Sequence, residues 1–380
     1  MSDKIMLDRL LKLDWVLNIS AFLLLGIGLL ALYSISLSEK ETGGINIFFR
    51  QAVFSLMGLS VLIIFSFVDY RHFRSYSTII YFSMLVILLA VLVLGSVVRG
   101  TTGWISVGSV SVQPVELAKI FLILSLASFI TKSKGILSEA SRLTVAFALG
   151  GAAVFLVLMQ PDFGSALVLM IILLAMVLLS GIGWKYLAVM FFLGMASIIL
   201  GWFLLADYQK DRLINFVDPG NDPKGSGYNV IQSVIAVGSG GMSGKGLGHG
   251  SQSQLNFLPE NHTDFIYAVI VEEFGVWGSG AILFLFFIIF YRMKKIAETS
   301  IDNFGYLIVV GSMGMFFIQI MINVGMNIGI MPVTGIPLIF LSYGGSSLVS
   351  SFMILGILNN IYITGKSTIK GKVDPDYEFN

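Results

Sequence analysis

From Trp15 to Ser36 the chain carries no charged residue, and nine further apolar stretches follow, with all but one of the intervals too short to hold a soluble domain. Each is about 18–25 residues long, the length an α-helix needs to cross roughly 30 Å of hydrocarbon. The pattern predicts spans near residues 15–36, 46–67, 76–97, 114–131, 143–160, 163–182, 185–206, 264–290, 304–326 and 336–363. The first run is too long for a secretory signal and no small-residue cleavage site follows it, so it reads as the first transmembrane helix. Connections are short except for residues 207–263. With no Pro- or Ser-rich linker and no internal repeat, the chain reads as one membrane domain over 1–366 with a tail over 367–380. The expected fold class is all-α and polytopic, with about ten transmembrane helices.

Composition sharpens this picture. The 380 residues are 56% hydrophobic and only 12% charged, and a mean hydropathy of +0.89 lies outside the range of ordinary soluble domains. There is no cysteine, so disulfides and thiolate chemistry are excluded. The three histidines, His72, His249 and His262, are scattered, which argues against a His/Cys zinc site. A net charge of +1 offers nothing to nucleic acid.

Charge placement orients the bundle. Lys4, Arg9, Lys12, Arg71, Arg74, Lys132, Lys134, Arg142, Lys185, Arg292, Lys294, Lys295, Lys366, Lys370 and Lys372 all fall on one side of the ten spans. The short connections of the other side hold only Lys40 and Arg99. Cytoplasmic loops carry the excess of lysine and arginine. Both termini are therefore expected inside, and the 207–263 loop outside.

Orientation decides how the polar motifs read. "GSGGMSGKGLGHG" (238–250) has the look of a phosphate loop, but Lys245 is followed by Gly246 rather than Ser or Thr. It also lies on the side away from cytoplasmic ATP, so a flexible or tightly turning loop is expected there. In "VQPVELAKI" Glu116 and Lys119 share a helix face three residues apart. Two readings stay open: a self-neutralising buried pair, or the lining of a polar cavity. In "QPDFGSAL" Asp162 can cap the sixth span, line the cavity, or do both. Arg50, Arg99 and Arg212 each suit lipid headgroups, and together they would offer forked donors to a diphosphate. "MPVTGIPLIFLSYGGSSLVSSF" (331–352) admits close helix packing or irregular backbone covered by protein. Finally, "LNFLPENHTDFIYAVIVEEFG" sets Glu260, His262 and Asp264 within five positions at the outer lip of the eighth span.

These motifs, "NFLPENHTDFIYAVIVEEFG", "VQPVELAK", "QPDFGSAL", "GSGGMSGKGLGHGSQSQ" and "GIPLIFLSYGGSS", together resemble the SEDS family of bacterial membrane proteins (shape, elongation, division and sporulation), most of all its RodA elongation branch. The resemblance runs in order over roughly residues 10–365; the tail "KVDPDYEFN" lies outside it. It implies a peptidoglycan glycosyltransferase in the cytoplasmic (inner) membrane that polymerises lipid II on the outer face. It also implies a class B penicillin-binding protein as partner transpeptidase, alongside other proteins of the elongation complex. The family's essential aspartate falls on Asp264, and its other motif carboxylates and lysine on Asp162, Glu116 and Lys119. In that chemistry a carboxylate takes the acceptor proton and cations receive the departing diphosphate. Glu260, His262, Arg50 and Arg212 are the further candidates for the substrate or the cavity. Asp264 as a ligand of a divalent cation, Mg2+ or Mn2+, is a second reading. A lipid-precursor flippase or transporter, and a non-catalytic scaffold, are the rival functions.

Overall fold

A computed structural model describes residues 9–38, 47–98, 101–108, 110–183, 226–255 and 257–373, with Lys185, Tyr186, Ala188, Lys210 and Phe216 between them. Among these residues the long helices stand at nine of the ten expected places. They are α1 (Trp15–Ser38), α2 (Ile47–Phe67), α4 (Ser77–Leu94), α5 (Val115–Ser133), α6 (Glu139–Leu158), α7 (Phe163–Leu178), α10 (Ile266–Thr299), α11 (Asn303–Asn327) and α12 (Gly345–Val373). A short helix, α3 (Arg71–Ser75), joins α2 to α4. The expected span 185–206 lies outside the described residues apart from Lys185, Tyr186 and Ala188.

Seven of the nine are long and apolar enough to cross a membrane unaided. The other two depend on their neighbours. α7 has only 16 residues, and α5 carries Glu116 and Lys119 in its first turns yet is buried along most of its length. Peripheral faces are apolar and uncovered, as at Leu56 of α2, Ile79 of α4 and Phe284 of α10. Water would penalise such faces, at about 25 cal/mol per Å2, whereas lipid accepts them. Small residues allow the inner helices to approach: a Cβ on Gly356 of α12 would sit 2.7 Å from the Leu62 carbonyl oxygen of α2.

Three details add to the expected helix layout. The connection before α5 forms a three-stranded antiparallel sheet, β1 (Ser96–Val98), β2 (Thr101–Val107) and β3 (Val110–Val112), in the order β1-β2-β3. Ile105 pairs with Val112 and Ser106 with Ser111. The Thr102 amide donates to the Gln160 carbonyl at 3.2 Å, tying the sheet to the α6–α7 turn. Within the 207–263 segment, the described residues include two helices, α8 (Ser226–Ser239) and α9 (Ser251–Gln254). The tenth span does not start at 336: α12 begins at Gly345, and residues 332–338 are irregular.

The chain becomes buried as this segment runs on towards α12, with Ile336 and Leu338 to Leu341 almost fully covered, so its backbone polar groups there need partners inside the protein. Asn323 Nδ2 donates to the Ile336 carbonyl at 2.8 Å. Ser342 Oγ accepts from the Leu338 amide at 2.7 Å and donates to the Thr263 carbonyl at 2.6 Å. Gln51 of α2 donates to the Ser342 carbonyl at 3.1 Å and accepts from the Gly344 amide at 3.2 Å. Tyr343 donates its amide to the His262 carbonyl at 2.9 Å. A non-helical strand of chain is thus fixed against the start of α10.

Candidate active site

Asp264 precedes α10 rather than capping it. The helix opens at Ile266 and its N-cap position is held by Phe265, one residue beyond Asp264. A tight turn presents it: the Glu260 carbonyl accepts from the amides of Thr263, Asp264 and Phe265 at 3.2–3.3 Å. Glu260 itself adopts a left-handed φ of 56°, uncommon for a residue other than glycine and a mark of local constraint. The Asp264 carbonyl accepts from Asn323 Nδ2 at 3.0 Å and Asn327 Nδ2 at 2.9 Å. Those two asparagines stand one turn apart on α11, both fully buried. The backbone of Asp264 is therefore anchored from a different helix, and its side chain faces a cavity.

The cavity has a volume of about 490 Å3 and draws its lining from five stretches of chain. From the start of α5 come Glu116 and Lys119, whose Oε1 and Nζ meet at 2.8 Å with both side chains at most 4% exposed. Glu116 Oε2 also accepts from Ser350 Oγ of α12 at 3.3 Å. The two readings of this pair are both met: it neutralises itself and it lines the cavity. Asp162 likewise does both jobs. It is the N-cap of α7, accepting from the Ser165 amide at 2.9 Å and from Ser165 Oγ at 2.7 Å. Gln113 Nε2 donates to it at 3.3 Å.

Glu260, Thr263 and Asp264 supply another side, and the irregular segment adds Thr334, Gly335 and Tyr343. Gly335 lies so near that an added Cβ would be 3.6 Å from Asp264 Oδ2. Over the top sits the sheet, which contributes Thr101 and Trp104. The ionisable lining among the described residues is four carboxylates and one lysine. An anionic substrate entering here needs added positive charge, because Lys119 is already matched by Glu116.

Five of the eight candidates thus converge: Glu116, Lys119, Asp162, Glu260 and Asp264. Three do not. Arg50 is on α2 and does not line the cavity. Arg212 lies outside the described residues, as does Arg99. His262 is one layer back: its ring is 5.7 Å from that of Tyr343, which does line the cavity, and its Nε2 is 4.0 Å from Glu260. Sequence reading missed Trp104, Gln113, Tyr343 and the Asn323–Asn327 pair. The asparagines had a signal, since two amides four apart in an otherwise apolar helix share one face.

An apolar bundle with a carboxylate-rich cavity at one end defines a membrane protein with a polar site built into its helices. The cell cycle protein family that groups FtsW, RodA and SpoVE matches residues 14–367, and the chain belongs to this family. It is 38% identical over 316 residues to the peptidoglycan glycosyltransferase MrdB of Escherichia coli K12, covering 83% of this chain and 85% of MrdB. Its fold matches a chain from a structure that concerns how a peptidoglycan synthase complex coordinates polymerization and crosslinking. There the TM-score is 0.79 with 30% identity, over 93% of this chain and 98% of the other. It also matches the crystal structure of the rod shape determining protein RodA from Thermus thermophilus, with a TM-score of 0.69 and 26% identity, over 92% and 96% of the two chains. Relatives named for sporulation and FtsW relatives match as well. The protein is a multi-pass protein of the bacterial inner membrane.

Proposed function

We propose that this chain is a peptidoglycan glycosyltransferase, polymerising lipid II into glycan strands at the outer face of the cytoplasmic membrane during cell elongation. The observation that carries the reading is the convergence of Asp264, Glu260, Asp162 and the Glu116–Lys119 pair, from well-separated stretches of chain, on one cavity. Its likeness to MrdB supports the activity, and its likeness to a rod shape determining protein supports the elongation branch.

In the reaction an acceptor hydroxyl attacks the anomeric carbon of the donor sugar while the polyprenyl diphosphate leaves. The C–O bond to the diphosphate breaks, a glycosidic bond forms, and the hydroxyl proton must go to a base. Asp264 takes that proton; a carboxylate held by a rigid backbone and facing the cavity suits the role. Thr263 and Glu260, on the same turn, orient sugar hydroxyls. Lys119 Nζ, fixed by Glu116, directs positive charge towards the diphosphate. The two-carboxylate pattern of glycosidases does not transfer, since the leaving group here needs no proton.

Among the described residues no group of three His, Asp or Glu side chains converges to cage a metal. A hard cation such as Mg2+ needs only one or two carboxylates when phosphate oxygens and water complete its shell. Asp264 fits that donor set, and such an ion would add charge where the cavity lacks it. A class B penicillin-binding protein is the proposed partner, supported by the match to a chain from a peptidoglycan synthase complex. Purified protein given labelled lipid II, with and without the partner, tests the proposal. Glycan polymer is the expected product. Transfer of lipid II between leaflets without polymer would make the protein a flippase, and neither outcome would make it a scaffold.

A further inference from the structure

The glycine-rich segment 238–250 and two carboxylates behind it, Glu272 and Glu273, take no part in the cavity, yet both carboxylates are buried in the first turns of α10. Their setting is a broken helix. Gly275 adopts φ 66° and ψ −159°, which interrupts the i to i−4 ladder. The Val276 amide, which a continuous helix would send to Glu272, donates instead to the Gly241 carbonyl at 3.0 Å. The vacated carbonyls of Glu272 and Glu273 accept from the amides of Lys245 at 3.0 Å and Gly246 at 2.9 Å. The glycine-rich segment is therefore a splint across the break, neither a phosphate loop nor a flexible one.

The Glu272 side chain extends the splint towards Asp264. Its Oε1 accepts from Lys245 Nζ at 2.8 Å and from the Gln252 amide at 2.9 Å, and its Oε2 from the Ser253 amide at 3.1 Å. The Ser253 carbonyl in turn accepts from Asn261 Nδ2 at 3.2 Å. Asn261 belongs to the turn that begins at Glu260 and delivers Asp264 to the cavity. One buried charge thus fixes the glycine-rich segment, α9 and the turn.

We propose that Glu272 is a positioning residue for Asp264: through Lys245, Ser253 and Asn261 it sets the turn that aims the reacting carboxylate, without touching substrate. This rests on Asp264 being that carboxylate. A charge of this kind matters because misplacing a reacting group by about 1 Å can cost roughly 100-fold in rate. The amide of Gln keeps the shape but directs N–H groups at donors, so Glu272→Gln loosens the turn without opening a cavity.

The test uses the full chain, with its partner transpeptidase, and labelled lipid II, measuring Glu272→Gln beside Asp264→Asn. Glu272→Gln should lower kcat per folded molecule by about 10- to 100-fold while KM for lipid II stays within about two-fold. Amide exchange at residues 263–265 should accelerate about ten-fold or more, because those amides report the turn directly. Should Glu272→Gln fail to fold, Lys245→Met removes only the cation; it should lower kcat by about 3- to 10-fold and speed exchange at the same amides. Normal kcat in either folded variant, or slowed turnover with unchanged exchange at 263–265, overturns the positioning role. If Asp264→Asn polymerises at the normal rate, the reading beneath the proposal fails instead, whatever Glu272→Gln does.

Discussion

Aspartate and asparagine differ by a charge and a proton acceptor, not by size, so the exchange at residue 264 separates support from chemistry. The backbone of Asp264 is held through its carbonyl by Asn323 and Asn327, and the N-cap position of α10 belongs to Phe265, not to Asp264. Asp264→Asn should keep expression, thermal stability and partner binding while polymerisation of lipid II falls at least about 100-fold. Asp264→Glu keeps the charge but shifts it by a methylene, and should lose roughly 100-fold as well. His262→Gln should be milder, since that ring stands behind Tyr343. The buried pair divides differently. Glu116→Gln alone strands an ammonium that is 2% exposed and should cost about 3–5 kcal/mol in a thermal melt. The double change Glu116→Gln, Lys119→Met removes both charges, so the protein should fold yet fail to polymerise; wild-type activity would reduce the pair to mutual neutralisation. At this scale the sequence told much about the site, because Glu116, Asp162 and Asp264 are polar groups at the ends of apolar runs, where burial is costly and function the default. It could not separate a cap from a cavity wall at Asp162, because one side chain does both. Nor could it find Trp104 or Tyr343, whose partners are brought close only by the fold.

At the scale of elements, hydropathy identifies a covered run but not its backbone. The nine described long helices were legible because each has a long run with few charges. The segment 332–338 is as apolar as a helix, and only its Pro332 and Pro337 hint at the irregular path it takes. The sheet over the cavity was missed because strands of three to seven residues leave too short a pattern. The break in α10 hides for another reason: Gly275 sits in an otherwise normal helical sequence. A side chain there would adopt a left-handed φ, and its Cβ would fall 2.4 Å from the Gly244 nitrogen. Gly275→Ala should therefore destabilise by more than the roughly 1–3 kcal/mol of backbone strain alone. It should also lower activity, since the glycine-rich splint must move. Gly151→Ala is the control: it lies inside α6 with nothing within 4 Å of the added Cβ. Helix propensity favours that change by up to about 1 kcal/mol, so a thermal melt should show no loss. Equal melting shifts in the two variants would mean that the break is not a constrained feature.

For the whole molecule, the question is which leaflet the cavity serves. The connections between helices alternate between two ends of the bundle. One end carries Arg71, Arg74, Lys132, Lys134, Lys294 and Lys295, the charge excess that marks the cytoplasmic side. The sheet, the glycine-rich segment and the turn bearing Asp264 fall at the other end, where a lipid-linked sugar in the outer leaflet would place its polar head. The chain has no cysteine, so one introduced thiol reports its own location without background. Ser243 is exposed in the glycine-rich segment, and Ile136, in the α5–α6 connection, is 79% exposed at the basic end. Ser243→Cys should react with a membrane-impermeant maleimide in intact spheroplasts, and Ile136→Cys only after lysis. The reverse pattern would put the cavity on the cytoplasmic face. Asp264 would then meet precursors before their export rather than after it, and the polymerisation mechanism would have to be given up, however well the carboxylate is placed.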